Sequence, residues 1–195
     1  MSPFVRMYLD TEPGDAISGD YFWETANAAA LEQYCNLYYP KLIKGHGDPL
    51  SWNVGAMIMA DYQSDNILVS GGSSITYGQN TSNSDWNWST VRGCNSFLQN
   101  YQRSPASEMD KKKYAGEILF FKAFDYYNKV RLFGDVPWYD TALDKDDPDL
   151  YKGRDSRIVV MASILKTINQ AIEFLPRKTK VYRVSRDAAL LLKAR

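Results

Sequence analysis

The sequence predicts an all-α domain of helices packed as antiparallel hairpins, and three observations carry that prediction. The stretch Ser104 to Asp140, SPASEMDKKKYAGEILFFKAFDYYNKVRLFGDVPWYD, places apolar residues at steps of three and four along most of its length. The same spacing recurs at Ile158, Met161, Leu165, Ile168, Ile172 and Leu175, and again from Val91 to Leu98. Helix stops follow two of these runs, Gly134 with Pro137 after the first and Pro176 after the second.

Taken in order, Thr11 to Trp23 contains Pro13, Gly14 and Gly19 and is an extended lead-in. Glu24 to about Lys44 is predicted helical. Trp23, Ala30, Tyr34, Leu37 and Tyr38 fall on one side of it, and Pro40 ends or kinks it. A loop through Gly45, Gly47 and Pro49 leads to a second helix over about Trp52 to Gln63, with Val54, Met57 and Ile58 inward. From Ser64 to Asn87 the chain is rich in Ser, Gly, Asn and Thr and has no helical period. It is a long irregular loop, either ordered and functional or a disordered connector.

Helix returns at Trp88, with Val91, Asn95, Phe97 and Leu98 toward the helix that follows. Ser104 is the expected cap of that helix and Pro105 its first position, where a missing N–H costs nothing. Ala115, Leu119, Ala123, Tyr126, Val130 and Phe133 form one stripe along it, and Tyr114, Ile118, Phe121 and Phe124 a second. Two stripes require cover on two sides, which makes this the central helix. The acidic DKDDPDLYKGRD is a solvated loop, and its Asp144, Asp146, Asp147 and Asp149 fail the EF-hand spacing. Ser185 caps a last helix from Arg186 that is cut off at Arg195, with Ala188, Ala189, Leu191 and Leu192 set to pack against further chain. The full protein is expected to continue.

Composition narrows the function. Basic and acidic residues both number 23, so the net charge of zero provides no field for a nucleic acid. Only His46 and two cysteines, Cys35 and Cys94, are present, which leaves no zinc spacing and no Ser-His-Asp set. Neither metal nor cofactor is expected, and two cysteines leave the redox compartment open. No apolar run is long enough to span a membrane as a helix, and MSPFVRMYLDTEP lacks the regions of a signal peptide. Aromatic residues reach 14%, more than a helical core of this size needs, so some rings are expected to face a ligand.

The central stretch resembles the signature helix of the SusD/RagB family of glycan-binding outer-membrane lipoproteins. The resemblance rests on Ala115, Glu117, Phe120 or Phe121, Lys122, Ala123, Phe124, Tyr126, Tyr127, and Val130 through Pro137. Gly116 is inserted before the Glu, and Lys122 stands where Arg is usual. LDTEPGDAISGDYFW, VRGCNSFLQN and YRVSRDAALLLKAR resemble further family segments in the expected order. The resemblance implies that residues 1–195 are the N-terminal part of a SusD-like helical domain with tetratricopeptide-like hairpins. It also implies a surface lipoprotein that binds an oligosaccharide or polysaccharide and delivers it to a TonB-dependent porin of the SusC type. Signal peptide and lipid-bearing cysteine are not in this sequence, which is expected to be trimmed or to start at an internal Met.

Sugars present C–H faces and hydroxyl edges, so a saccharide site needs exposed rings beside polar groups. Trp86 and Trp88, with Asp85, Asn83 and Asn87 around them, supply both within a few residues. Trp86 is the ring expected to be exposed, while Trp88 is alternatively a core anchor for its helix. Tyr77 is a further candidate ring. Asp65 in DYQSDN matches an acidic element of the family and is alternatively a turn former, like Asp61 and Asn66. The expected ligand set is therefore Asp65, Tyr77, Asn83, Trp86 and Trp88, acting without catalysis. Glycoside hydrolysis would need two carboxyl groups held across the bond, and Glu117 is expected instead to pair with Lys113 or Arg131. Asp135 is expected to tighten the turn after Gly134, Arg92 and Arg131 to make an ion pair or a stacking contact, and Lys111 to Lys113 to be solvated. The alternative function is a helical-repeat adaptor for proteins, in which the aromatic rings are core and the loop a spacer.

Overall fold

A computed structural model describes residues 19–43, 86–144 and 146–195. Among these residues the fold is all-α, as the sequence predicts. Its helices are α1 (Gly19–Thr25), α2 (Ala28–Asn36), α3 (Tyr39–Leu42), α4 (Ser89–Asn100), α5 (Glu108–Phe133), α6 (Arg157–Phe174) and α7 (Arg186–Ala194). Short 3-10 turns occupy Tyr101–Arg103 and Pro148–Tyr151. No helix of the described residues is long and apolar enough to cross a membrane. The lead-in expected as extended over Thr11 to Trp23 is helical from Gly19 onward, while its residues before Gly19 and the helix expected over Trp52 to Gln63 lie outside the described residues.

Helix α5 is central, with α4, α2 and α3 packed against it, and α6 packed against both it and α7. The close approach of α5 and α6 explains the glycine at position 116. A Cβ at Gly116 would come within 3.0 Å of Phe174 Cβ and of the Leu175 side chain, at the end of α6. Both predicted stripes of α5 are buried at Tyr114, Ala115, Ile118, Leu119, Phe121, Ala123 and Tyr126, while Phe124, Val130 and Phe133 are half-buried.

Several expectations need correction. Helix α5 begins at Glu108, and Ser107 is its cap, accepting from the Asp110 N–H at 3.2 Å. The Ser104 hydroxyl is already committed, donating to the Ala26 carbonyl at 2.5 Å and accepting from Ala106 N–H at 3.1 Å. The segment predicted as one helix from Glu24 is three: Asn27 caps α2 through the Ala30 N–H at 3.0 Å, and Pro40 sits in the first turn of α3. Leu37 is exposed, and Leu31 and Cys35 are buried in its stead. On α6 the buried face is Val160, Ile164, Ile168 and Ala171, continued by Leu175, whereas Ile158 and Leu165 are exposed. That helix is apolar on more than one side, so its spacing does not define a face.

Polar groups lock the core at two places. Glu117 is fully buried and receives two hydrogen bonds from Arg183, at 3.0 and 2.6 Å, and one from the Tyr39 hydroxyl at 2.9 Å. Its partner is thus Arg183, not Lys113 or Arg131. Arg183 also donates to Glu32 at 3.1 Å and to Asn36 at 2.8 Å, tying α2, α5 and the approach to α7 together. Burial opposes the charge of Arg183, yet its bonds to Glu117 raise its pKa above the ordinary value. The second lock follows α5. Gly134, at φ 72°, turns the chain, and Asp135 accepts from the first N–H of α6, Arg157, at 2.8 Å. Asp155 accepts from Trp138 N–H at 2.7 Å, and Val136 and Asp155 form an antiparallel bridge. Asp135 therefore joins α5 to α6 instead of tightening the turn after Gly134, the role expected of it. Lys111, expected to be solvated, is buried and bonds Gln102 O at 3.1 Å and Glu108 at 3.0 Å. Cys35 and Cys94 are buried free thiols.

Candidate functional site

A cavity of about 500 Å³ opens between the start of α4 and the loop that follows the Gly134 turn. Trp86, Trp88 and Tyr139 supply its aromatic wall. Ser89, Arg92, Asn95, Thr141, Asp144 and Lys152 supply polar groups, and Val91, Pro137, Leu143 and Leu150 complete the lining. Aromatic faces with a few convergent polar groups are the usual make-up of a small-molecule site.

Local chemistry sets the two tryptophans. Asn87 accepts from the Ser89 N–H at 2.8 Å and closes a short turn, which launches α4 and places Trp86 and Trp88 on either side of it. The rings meet edge-to-face at 5.2 Å, and Trp86 meets Phe133 in the same way at 4.9 Å. Trp88 also contacts Tyr126 at 5.8 Å and Tyr139 at 5.5 Å. Both tryptophans are half-buried. The expected contrast, Trp86 exposed and Trp88 a core anchor, is thus smaller than the sequence suggests: each ring packs on the core and borders the cavity. Asp65, Tyr77 and Asn83 lie outside the described residues, as do Asp61, Asn66 and Asp85.

The opposite wall comes from residues that sequence reasoning did not assign to the site. Asn95, fully buried, donates to the carbonyls of Tyr139 at 2.9 Å and Thr141 at 2.8 Å, pinning that loop to α4. Its Oδ1 has no hydrogen-bond partner among the described residues. The Tyr126 hydroxyl accepts from Tyr139 N–H at 2.8 Å. Lys152 pairs with Asp155 at 3.1 Å, donates to the Trp138 carbonyl and lies 5.0 Å from the Tyr139 ring centre. The Trp138 N–H, together with Lys152, holds the Asp155 carboxyl below its ordinary pKa. The Arg154 guanidinium stands over Trp86 at 4.7 Å. Arg131 stacks on Tyr127 at 5.7 Å, one of its two expected roles, while Arg92 points to the cavity.

Beneath the site lie two buried lysines on α5. Lys129 bonds Asp125 at 2.9 Å and lies 5.3 Å from the Trp88 ring. Lys122 lies 4.8 Å from the Trp138 ring and 3.7 Å from Asp140. Burial lowers the pKa of Lys122 and raises that of Asp125, each partly offset by its partner. Among the described residues no group of histidine, cysteine and carboxylate side chains is arranged to hold a metal ion.

The described residues thus form an all-α scaffold with an aromatic cleft at a loop–helix junction. The chain belongs to the SusD-like family described as starch-binding and associating with the outer membrane, whose pattern it matches over residues 8–195. No curated protein matches it. A SusD-like protein of Bacteroides fragilis NCTC 9343 shares 21% identity with a TM-score of 0.66, the match covering 94% of this chain and 37% of that one. A SusD-like carbohydrate-binding protein of the same organism shares 19% identity with a TM-score of 0.65, covering 88% and 37%. A surface glycan-binding protein A of Bacteroides uniformis also shares 19% with a TM-score of 0.65, covering 85% and 40%. These likenesses establish the fold, and the chain spans about two fifths of the length of those proteins.

Proposed function

We propose that this chain is part of a surface lipoprotein that captures an oligosaccharide at the outer membrane of a bacterium and passes it to a TonB-dependent porin. The observation that carries the reading is the cavity walled by Trp86, Trp88 and Tyr139, with hydroxyl, amide and charged groups between the rings. Sugar C–H faces stack on such rings while hydroxyl edges meet Ser89, Thr141 and Asp144. Family membership and the carbohydrate-binding relatives support the same reading. Asp65, Tyr77 and Asn83 belong to the proposed ligand set on sequence grounds alone.

The cavity suits binding better than hydrolysis. A glycosidase holds two carboxyl groups roughly 5 to 9.5 Å apart across the bond. Asp144 is the one carboxylate lining the cavity among the described residues. The adaptor reading has less support, since rings serving only as core would not border an open cleft.

Intrinsic tryptophan fluorescence, followed while oligosaccharides of several linkages are titrated in, tests the proposal. A saturable change is expected in the parent chain, and Trp86→Ala is expected to abolish it while leaving the far-UV circular dichroism intact. A parent chain that is folded yet silent to every oligosaccharide would count against a glycan site on these residues.

A further inference from the structure

We propose that the glycan taken by this cleft is acidic, bearing carboxylate or sulfate groups; the inference rests on the glycan reading above. Two guanidinium groups carry it. Arg92 lies one helical turn after Trp88, lines the cavity, is exposed and has no ion-pair partner among the described residues. Arg154 lies over the Trp86 ring at 4.7 Å and is likewise exposed without a carboxylate partner among those residues. Among the described residues no carboxylate is paired with them. Lys152 is matched by Asp155 at 3.1 Å, and Asp144, the lining carboxylate, forms no ion pair with either arginine. Among the described residues the cleft and its rim therefore hold surplus positive charge that no ion pair matches, in a chain whose net charge is zero.

A neutral sugar has no use for that surplus. Stacking and hydroxyl partners are all it needs, and the cavity already supplies them through its rings and through Ser89, Thr141 and Asp144. A guanidinium presents forked donors that match the paired oxygens of a carboxylate or sulfate, with stronger bonds than a neutral hydroxyl makes. Arg92 is fixed to the first turns of α4, whose Trp88 carbonyl accepts from Arg92 N–H at 2.9 Å. Arg154 is placed by the ring on which the sugar is proposed to stack. An acidic sugar on Trp86 would thus set its charged substituent beside a guanidinium while its ring stays on the aromatic wall.

Calorimetric titration of the full chain with matched pairs tests this. The probes are oligogalacturonate against its carboxyl-reduced counterpart, and chondroitin sulfate oligosaccharides against desulfated and then carboxyl-reduced forms. We expect one acidic member to bind at least about tenfold tighter than its neutral counterpart. The advantage should shrink as sodium chloride rises from about 0.05 to about 0.5 M and collapse in Arg92→Gln/Arg154→Gln. Loss on desulfation alone assigns the charge to sulfate, and loss only on carboxyl reduction assigns it to carboxylate. Neutral members that bind as tightly as acidic ones, or a preference that survives in the double variant, overturn the acidic assignment and leave the glycan reading standing. Absence of binding by these pairs and by neutral malto-, xylo- and manno-oligosaccharides overturns both.

Discussion

Glu117 shows how much a single residue of the signature costs and what it holds. A carboxylate removed from water is destabilising unless its lone pairs are matched, and here Arg183 and Tyr39 match them. Removing one partner exposes the other's desolvation. Arg183→Met is therefore expected to cost about 3 to 5 kcal/mol, read as a lower urea midpoint. Glu117→Met/Arg183→Met is expected to recover part of that loss, because it removes both charges together. An Arg183→Met midpoint equal to that of the parent would show that the network contributes nothing net. The partner of Glu117 was not legible in the sequence. Lys113 and Arg131 share its helix, whereas Arg183 is 66 positions away and arrives only through the tertiary fold.

At the scale of elements, the end of α5 is the sharpest feature. Gly134 has φ 72° and ψ −107°, and a Cβ there would meet nothing within 4 Å. Gly134→Ala is accordingly a purely conformational change, expected to cost about 1 to 3 kcal/mol. Thermal unfolding of that variant measures it, and an unchanged midpoint would mean that the turn relaxes without strain. This stop was legible because Gly134 and Pro137 act locally. The start of α5 was not, since Ser104 and Ser107 are both good caps and only the distant carbonyl of Ala26 decides between them. Likewise Asn27 divides the first predicted helix by one side-chain bond that competes with an otherwise continuous pattern. Of the cleft, Trp86 and Trp88 were readable beside each other in sequence. Lys152 and Arg154 were not, because they lie in a stretch whose acidic composition reads as solvated loop, and Tyr139, near the end of the central stretch, joins the wall only through the tertiary fold. Aromatic and basic residues scattered through that acidic run were the one available signal.

Across the whole molecule, α5 is the element that the other parts share, and this bears on how the described residues unfold. Rings on one side of it form a cluster of Trp23, Tyr34, Tyr38, Phe97 and Phe121, and those near its end a second cluster of Trp86, Trp88, Tyr126, Tyr139 and Trp138. Helices α2, α3, α4 and α6 all pack on α5, so the two clusters should lose structure together. Acid provides the cleanest test, because the groups that respond to it sit at both ends. Bonds from Tyr114 and Lys180 and the charge of Arg183 lower the pKa of Glu32, outweighing its burial, and Asp155 is lowered by the Trp138 N–H and by Lys152. A carboxyl depressed in the folded state stabilises above its unfolded pKa, about 4.3 for Glu and about 3.9 for Asp. That stability is lost as pH falls through the lower folded values. Asp125, raised by burial, works with the opposite sign and offsets part of the loss. Below about pH 4, at a fixed urea concentration near the transition, stability should therefore drop with falling pH. Tryptophan fluorescence and far-UV circular dichroism should report the same midpoint. Fluorescence that changes at a higher pH than the helix signal would mean that the Trp86 cleft comes apart while α5 and α6 stay packed, and that the described residues do not fold as one unit.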